Sequence, residues 1–219
     1  MKLKYVLVLL LNFCELGLLE AEASNEYSSP ADSVREYYSL GLESYNQKEY
    51  PQAELYFRKA YGLCTANCDS LKEDIGIAVL YQREQGRAIE IFKELAKKAD
   101  YPKVYRSLGF SHMVYEEWTQ AIVYFNEYLK HFPEDNSCVM QQGYCYQSLG
   151  YTKQAIKNFE DVFPRVKEDS SKLAFEVSSR LGELLYDSKK YQESIVPLKL
   201  ANALKEDVSF KKEDWTSIF

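Results

Sequence analysis

Histidine is nearly missing from this chain, with two residues in 219, and tryptophan and methionine are almost as scarce, with two and three. The two histidines, His112 and His131, have no close Cys-x2-Cys pair to complete a metal set, so no metal or other cofactor is expected. There is no G-x-x-x-x-G-K-S/T loop, G-x-G-x-x-G turn, H-E-x-x-H helix or G-x-S-x-G elbow. This excludes the usual devices for cradling phosphates, holding a catalytic zinc or exposing a nucleophilic serine. The paired carboxylates Glu116–Glu117, Glu134–Asp135 and Glu160–Asp161 read as caps and solvating charges at turns or outer helix faces. Nothing therefore nominates a catalytic site, and the chain is not expected to be an enzyme. A dominant charge is also lacking: 27 Lys and Arg stand against 33 Asp and Glu, a formal net charge of −6. The basic pairs Lys97–Lys98, Lys189–Lys190 and Lys211–Lys212 have acidic neighbours, which argues against a nucleic-acid footprint.

Long apolar runs are absent except near the N-terminus. Lys2 and Lys4 precede the run Tyr5 to Leu11, and Ala21-Glu22-Ala23 follows as an A-x-A cleavage pattern. Residues 1–23 thus read as a secretory signal peptide, with an uncleaved leader helix as the alternative. Asn12 and Glu15 interrupt the run too early for a transmembrane helix. Leu11 three residues before Cys14 offers a variant, lipoprotein processing, in which Cys14 would carry a lipid anchor; Phe13 departs from the small residue that such a site uses. Residues 24–33 read as a polar linker, with Asp32 and Ser33 as candidate caps for the first helix. Cysteine is also sparse, at five. Cys64 and Cys68 are close enough in sequence to bridge. Cys138 and Cys145, seven apart on one predicted helix, are separated by about 10 Å of rise and read as buried small hydrophobes.

Glycine is sparse too, at nine, yet five of the nine recur in register: Gly41, Gly76, Gly109, Gly143 and Gly182. Twelve residues after each stands a small residue, Ala53, Ala88, Ala121, Ala155 and Ser194. Four further on stands a large apolar one: Phe57, Phe92, Phe125, Phe159 and Leu198. A period near 34 signals a helical repeat array of two helices per unit. Glycine inside a helix costs about 1 kcal/mol against alanine, so five at one phase require a close approach of the partner helix's backbone. The small residue and the aromatic at i and i+4 then share one face of the second helix.

With Tyr105, Leu108, Gly109, Trp118, Ala121, Phe125, Tyr128 and Pro133 in its third unit, the chain resembles the tetratricopeptide repeat family. The first unit matches with Tyr37, Leu40, Gly41, Tyr45, Ala53 and Phe57. Departures are Gln85 in the second unit, Gln142 for leucine in the fourth, and Ser194, Pro197 and Leu198 in the fifth. The resemblance covers residues 34–204. It implies an all-α, right-handed superhelical solenoid of about five repeats, with residues 205–219 as a capping helix or tail. It also implies that the first helix of each repeat lines a concave, peptide-binding face. Carried onto this sequence, that face comprises Tyr38, Leu42, Tyr45, Ile77, Leu80 and Tyr81, then Arg106, Phe110, Met113, Met140, Tyr144 and Tyr186. Several of these could instead pack between helices. The residues after the repeat glycines, Leu42, Ile77, Phe110, Tyr144 and Glu183, include no asparagine, so a chaperone-tail adapter is not expected. The expectation is a non-enzymatic interaction scaffold of the bacterial cell envelope, exported or periplasmic, that binds another protein or peptide; the alternative is a cytosolic chaperone for secreted substrates.

Overall fold

The computed structural model describes residues 29–207 except Ala99, Asp169 and Ser170; the leader and the segment from 208 onward lie outside the described residues. Among the described residues there are ten helices and no strand. They pair in sequence as α1 Pro30–Asn46 with α2 Tyr50–Leu63, and α3 Asp69–Tyr81 with α4 Gln85–Ala96. α5 Val104–Val114 pairs with α6 Trp118–His131, α7 Asn136–Ser148 with α8 Thr152–Val166, and α9 Lys172–Asp187 with α10 Tyr191–Asp207. The chain divides into two compact units, residues up to Gln82 and residues from Arg83, each described separately below.

The first helix starts earlier than the sequence reading placed it. Ser29, not Asp32 or Ser33, is the cap, and Pro30 opens the helix. The Ser29 hydroxyl accepts the Asp32 N–H at 3.2 Å, while the Asp32 carboxylate accepts the Ser29 N–H at 3.2 Å. This reciprocal pair satisfies two end donors at once. The helix thus takes in residues 30–33, because Ser29 and Pro30 are themselves its start.

Four of the periodic glycines are explained by side chains of the following helix, three of them rings. A Cβ added at Gly41 would lie 2.5 Å from Phe57, and one at Gly109 would lie 2.5 Å from Phe125. At Gly143 the distance to Phe159 is 3.1 Å, and at Gly182 the distance to Leu198 is 2.6 Å. At these four the nearest atoms belong to the side chain of the second helix rather than to its backbone as expected from sequence; at Gly182 the Leu198 nitrogen also stands at 3.2 Å. Phe57, Phe92, Phe125 and Phe159 are almost fully buried, as are Ala53, Ala88, Ala121 and Ala155. Ser194 substitutes for alanine without leaving an unpaired hydroxyl, which donates to the Tyr191 carbonyl at 2.8 Å. α10 continues through Pro197.

Each turn between paired helices uses one left-handed residue, seven positions after the repeat glycine: Lys48, Arg83, Glu116, Gly150 and Lys189, with φ from 61° to 75°. Only the fourth turn supplies the glycine this conformation favours.

In the first unit the core comprises Ala53, Phe57, Ala60, Leu71, Ile75, Ala78, Val79 and Leu80. Cys64 and Cys68 form a disulfide across the turn between α2 and α3. In the second unit one cluster surrounds Phe125 with Ala121, Tyr128, Cys138 and Cys145, and another surrounds Phe159 with Val162, Val177, Leu181 and Leu185. Cys138 and Cys145 are free and buried, and burial pushes both thiols up to about 12. A ladder of side-chain amides crosses this unit: Gln142 donates to the Asn126 carbonyl oxygen and accepts from Asn158, both at 2.8 Å. That ladder accounts for the glutamine where the family pattern has leucine.

Candidate functional site

The second unit contains a pocket of about 560 Å³ formed by the first helices of three successive pairs, α5, α7 and α9. Its apolar wall consists of Met113 and Val114 from the end of α5, Trp118 from the start of α6, Met140 from α7 and Phe175 from α9. Flexible thioethers beside rigid rings make a surface that can repack around an apolar anchor. Val114 is 46% exposed.

The polar wall comes from α7 and α9. Lys172, Glu176 and Arg180 recur every fourth residue of α9, which places them on one helical face. The Arg180 guanidinium lies 5.7 Å from the Tyr144 ring centroid and donates to Glu183 at 3.1 Å. Tyr144 packs edge-on against Phe159 at 5.5 Å, fixing its ring. Burial, then the Glu176 carboxylate, pushes the Tyr144 phenol up to about 12. Burial likewise raises the Glu176 carboxyl above its ordinary value, opposed by Lys172, Arg180 and a hydrogen bond from Tyr144. Tyr144 is therefore a neutral donor at physiological pH. Gln141 also lines the pocket; it is only 7% exposed, and its Oε1 has no hydrogen-bond partner.

In the first unit the equivalent face is self-packed. Tyr50 and Tyr81 stack at 5.0 Å, and Tyr45 meets them edge-on at 5.6 and 5.5 Å. Tyr38 packs on Phe57 at 5.8 Å and hydrogen-bonds Asp74. Burial, then the neighbouring Glu73 charge, pushes the Asp74 carboxyl up to about 6.

No protein-family model matches this chain, and no curated protein matches it. Solved structures do. A chain of MamA from Desulfovibrio magneticus, starting at its residue 41, superposes with a TM-score of 0.65 at 12% identity, covering 81% of this chain and 98% of that one. Pseudomonas aeruginosa pilF gives 0.67 at 17% identity, covering 80% and 78%. The TPR-like repeats of a Podospora anserina putative kinesin light chain give 0.65 at 10% identity, covering 84% and 100%. The fold is that of the tetratricopeptide repeats.

Within this fold, the face expected from sequence divides into residues that line space and residues that fill it. Met113, Met140 and Tyr144 line the pocket. Phe110 packs beside the Phe125 cluster, and Arg106 is tied to Ser137 at 3.4 Å and Asp135 at 3.9 Å. Tyr186 is exposed and rests against Tyr191 at 5.2 Å. In the first unit Leu42 is exposed at 40%, and Tyr38, Tyr45, Ile77 and Tyr81 are half-buried. Leu80 is 4% exposed and packs in the core of the first unit. Glu116 sits at a turn, as expected, and in addition lines the pocket. Gln141, Phe175, Glu176 and Arg180 were missed. The four-residue recurrence from Lys172 to Arg180 was the available signal.

Proposed function

We propose that this chain is a non-enzymatic scaffold that holds a segment of a partner polypeptide against the first helices of its repeats, chiefly in the α5–α7–α9 pocket. The observation that carries this reading is the pocket itself: about 560 Å³, walled by Met113, Met140, Trp118 and Phe175, with fixed polar groups at one side. That combination of apolar anchor space and few oriented polar groups suits a peptide. The fold shared with these solved structures supports a protein-binding role at the general level.

The setting we propose is the bacterial cell envelope, with residues 1–23 as an export leader. The Cys64–Cys68 disulfide supports this, because such bonds persist in oxidising compartments. Affinity capture from native membranes tests the binding role. Val114→Asp places a charge on the apolar wall at an exposed position and should abolish capture while leaving far-UV circular dichroism unchanged. Undiminished capture would refute the pocket reading. Intact mass of the protein from its own host tests the location: retention of Met1 to Ala23 would favour the cytosolic chaperone role instead.

A further inference from the structure

The polar groups of the pocket assign a sign to what it binds. Five charged side chains line it: Glu116, Glu176 and Glu183 against Lys172 and Arg180. Both cations are engaged. Lys172 and Arg180 flank Glu176 on the same face of α9, and Arg180 also donates to Glu183. Among the described residues the Glu116 carboxylate has no ion pair or hydrogen bond. One negative charge is therefore left over, at the rim next to Val114.

Glu116 occupies the left-handed turn position that recurs once per repeat. Its counterparts are Lys48, Arg83, Gly150 and Lys189. The turn accepts a basic residue in three of five repeats, so turn geometry does not require an acid here. The acidic residue stands where the turn meets the pocket.

A second acceptor lies deeper. Gln141 is more than nine-tenths buried, lines the pocket and has an Oε1 without a donor. A buried amide oxygen without a donor is costly, and a bound group that supplies an N–H recovers that cost. Among the described residues no donor reaches this oxygen, so a bound segment can supply one.

Building on the proposed peptide-holding role, we infer that the occupant is a peptide segment carrying a lysine or arginine beside an apolar anchor. The anchor fills the space between Met113, Met140 and Phe175, the basic group faces Glu116, and an N–H of the segment reaches Gln141. A segment with an acidic residue at the same place would meet the unpaired carboxylate and offer nothing to it.

Three acetylated, amidated and fluorescein-labelled peptides separate the possibilities: Ser-Leu-Lys-Lys-Phe-Ser, Ser-Leu-Glu-Glu-Phe-Ser and Ser-Leu-Ser-Ser-Phe-Ser, titrated against the whole chain by fluorescence anisotropy at low ionic strength. The lysine peptide should bind about tenfold more tightly than the glutamate peptide, the scale of one exposed ion pair set against one like-charge contact of similar size. Glu116→Lys, which installs the residue type that the other turns already hold, should remove or reverse that preference without changing thermal unfolding. Gln141→Leu should weaken the lysine and serine peptides alike. Equal binding of all three peptides, or preference for glutamate, overturns the sign assignment but leaves the peptide-holding role standing. Failure of all three to bind overturns both.

Discussion

Replacing Gly109 by alanine tests the packing logic on which every repeat depends. The glycine sits in the interior of α5, where alanine alone would stabilise the helix by about 1 kcal/mol. The added methyl, however, would lie 2.5 and 2.6 Å from two carbons of the Phe125 ring, against the roughly 3.5–4.0 Å that carbon atoms prefer. The ring must retreat by about 1 Å, and it is completely buried among Ala121, Tyr128 and Cys138. Overpacking of this kind costs about 1–3 kcal/mol, so after the helix gain the net loss should be up to about 2 kcal/mol. Gly86 is the internal control: it is also helical, but a Cβ there meets nothing within 4 Å, so Gly86→Ala should be neutral or stabilising by up to about 1 kcal/mol. Urea unfolding followed by far-UV circular dichroism measures both. A double-mutant cycle with Phe125→Leu should recover at least about 1 kcal/mol of the Gly109→Ala loss, because the two groups touch. If Gly109→Ala matches Gly86→Ala in sign, the periodic glycines are not making room for rings.

Two further outcomes follow from buried polar groups. Asp74 has a carboxyl raised from 3.8 to about 6 by burial, so the folded state binds the proton more tightly than the unfolded chain does. Its stabilising effect is complete below pH 3.8 and is lost as pH rises through about 6. Asp74→Asn should therefore stabilise the protein at pH 7 by about 1–2 kcal/mol and flatten its pH dependence between pH 4 and about 6, measured by thermal unfolding across that range. Gln142→Leu restores the family's leucine yet strips Asn126 and Asn158 of a shared partner. It should cost about 1–2 kcal/mol, and adding Asn158→Leu should recover part of that loss.

What the sequence disclosed and what it concealed divide along physical lines. Gly109, Ala121 and Phe125 are legible because packing the two helices of a pair together demands the same small space and the same large filling side chain each time. That demand forces residue type at fixed intervals. The turn residues Lys48, Arg83, Glu116 and Lys189 are illegible, because a left-handed conformation held by flanking helices tolerates residues other than glycine. The burial of Leu80 is hidden for a related reason. The residue lies on a first helix, but helix position alone does not say whether a neighbour covers it, and here the core does. Ser29 was missed because the cap precedes the repeat pattern and so lies outside any periodic signal.

The pocket is hidden in sequence for the converse reason. Its residues have no counterparts that repeat: the positions just after the repeat glycines read Leu42, Ile77, Phe110, Tyr144 and Glu183, five different side chains at one phase. Packing leaves this phase free, so its chemistry varies from repeat to repeat. A binding site on such an array is therefore assembled from departures, and departures become interpretable only once neighbouring repeats bring them together. Glu116 illustrates the point. Within its own turn it is merely one residue that tolerates a left-handed backbone, and beside Lys48 or Lys189 it looks like ordinary surface variation. Beside Val114 and Gln141 it becomes the unpaired charge of an otherwise balanced pocket. Its charge should accordingly matter for which segment binds and hardly at all for folding, whereas Gly109, seven residues earlier in the same repeat, should show the opposite.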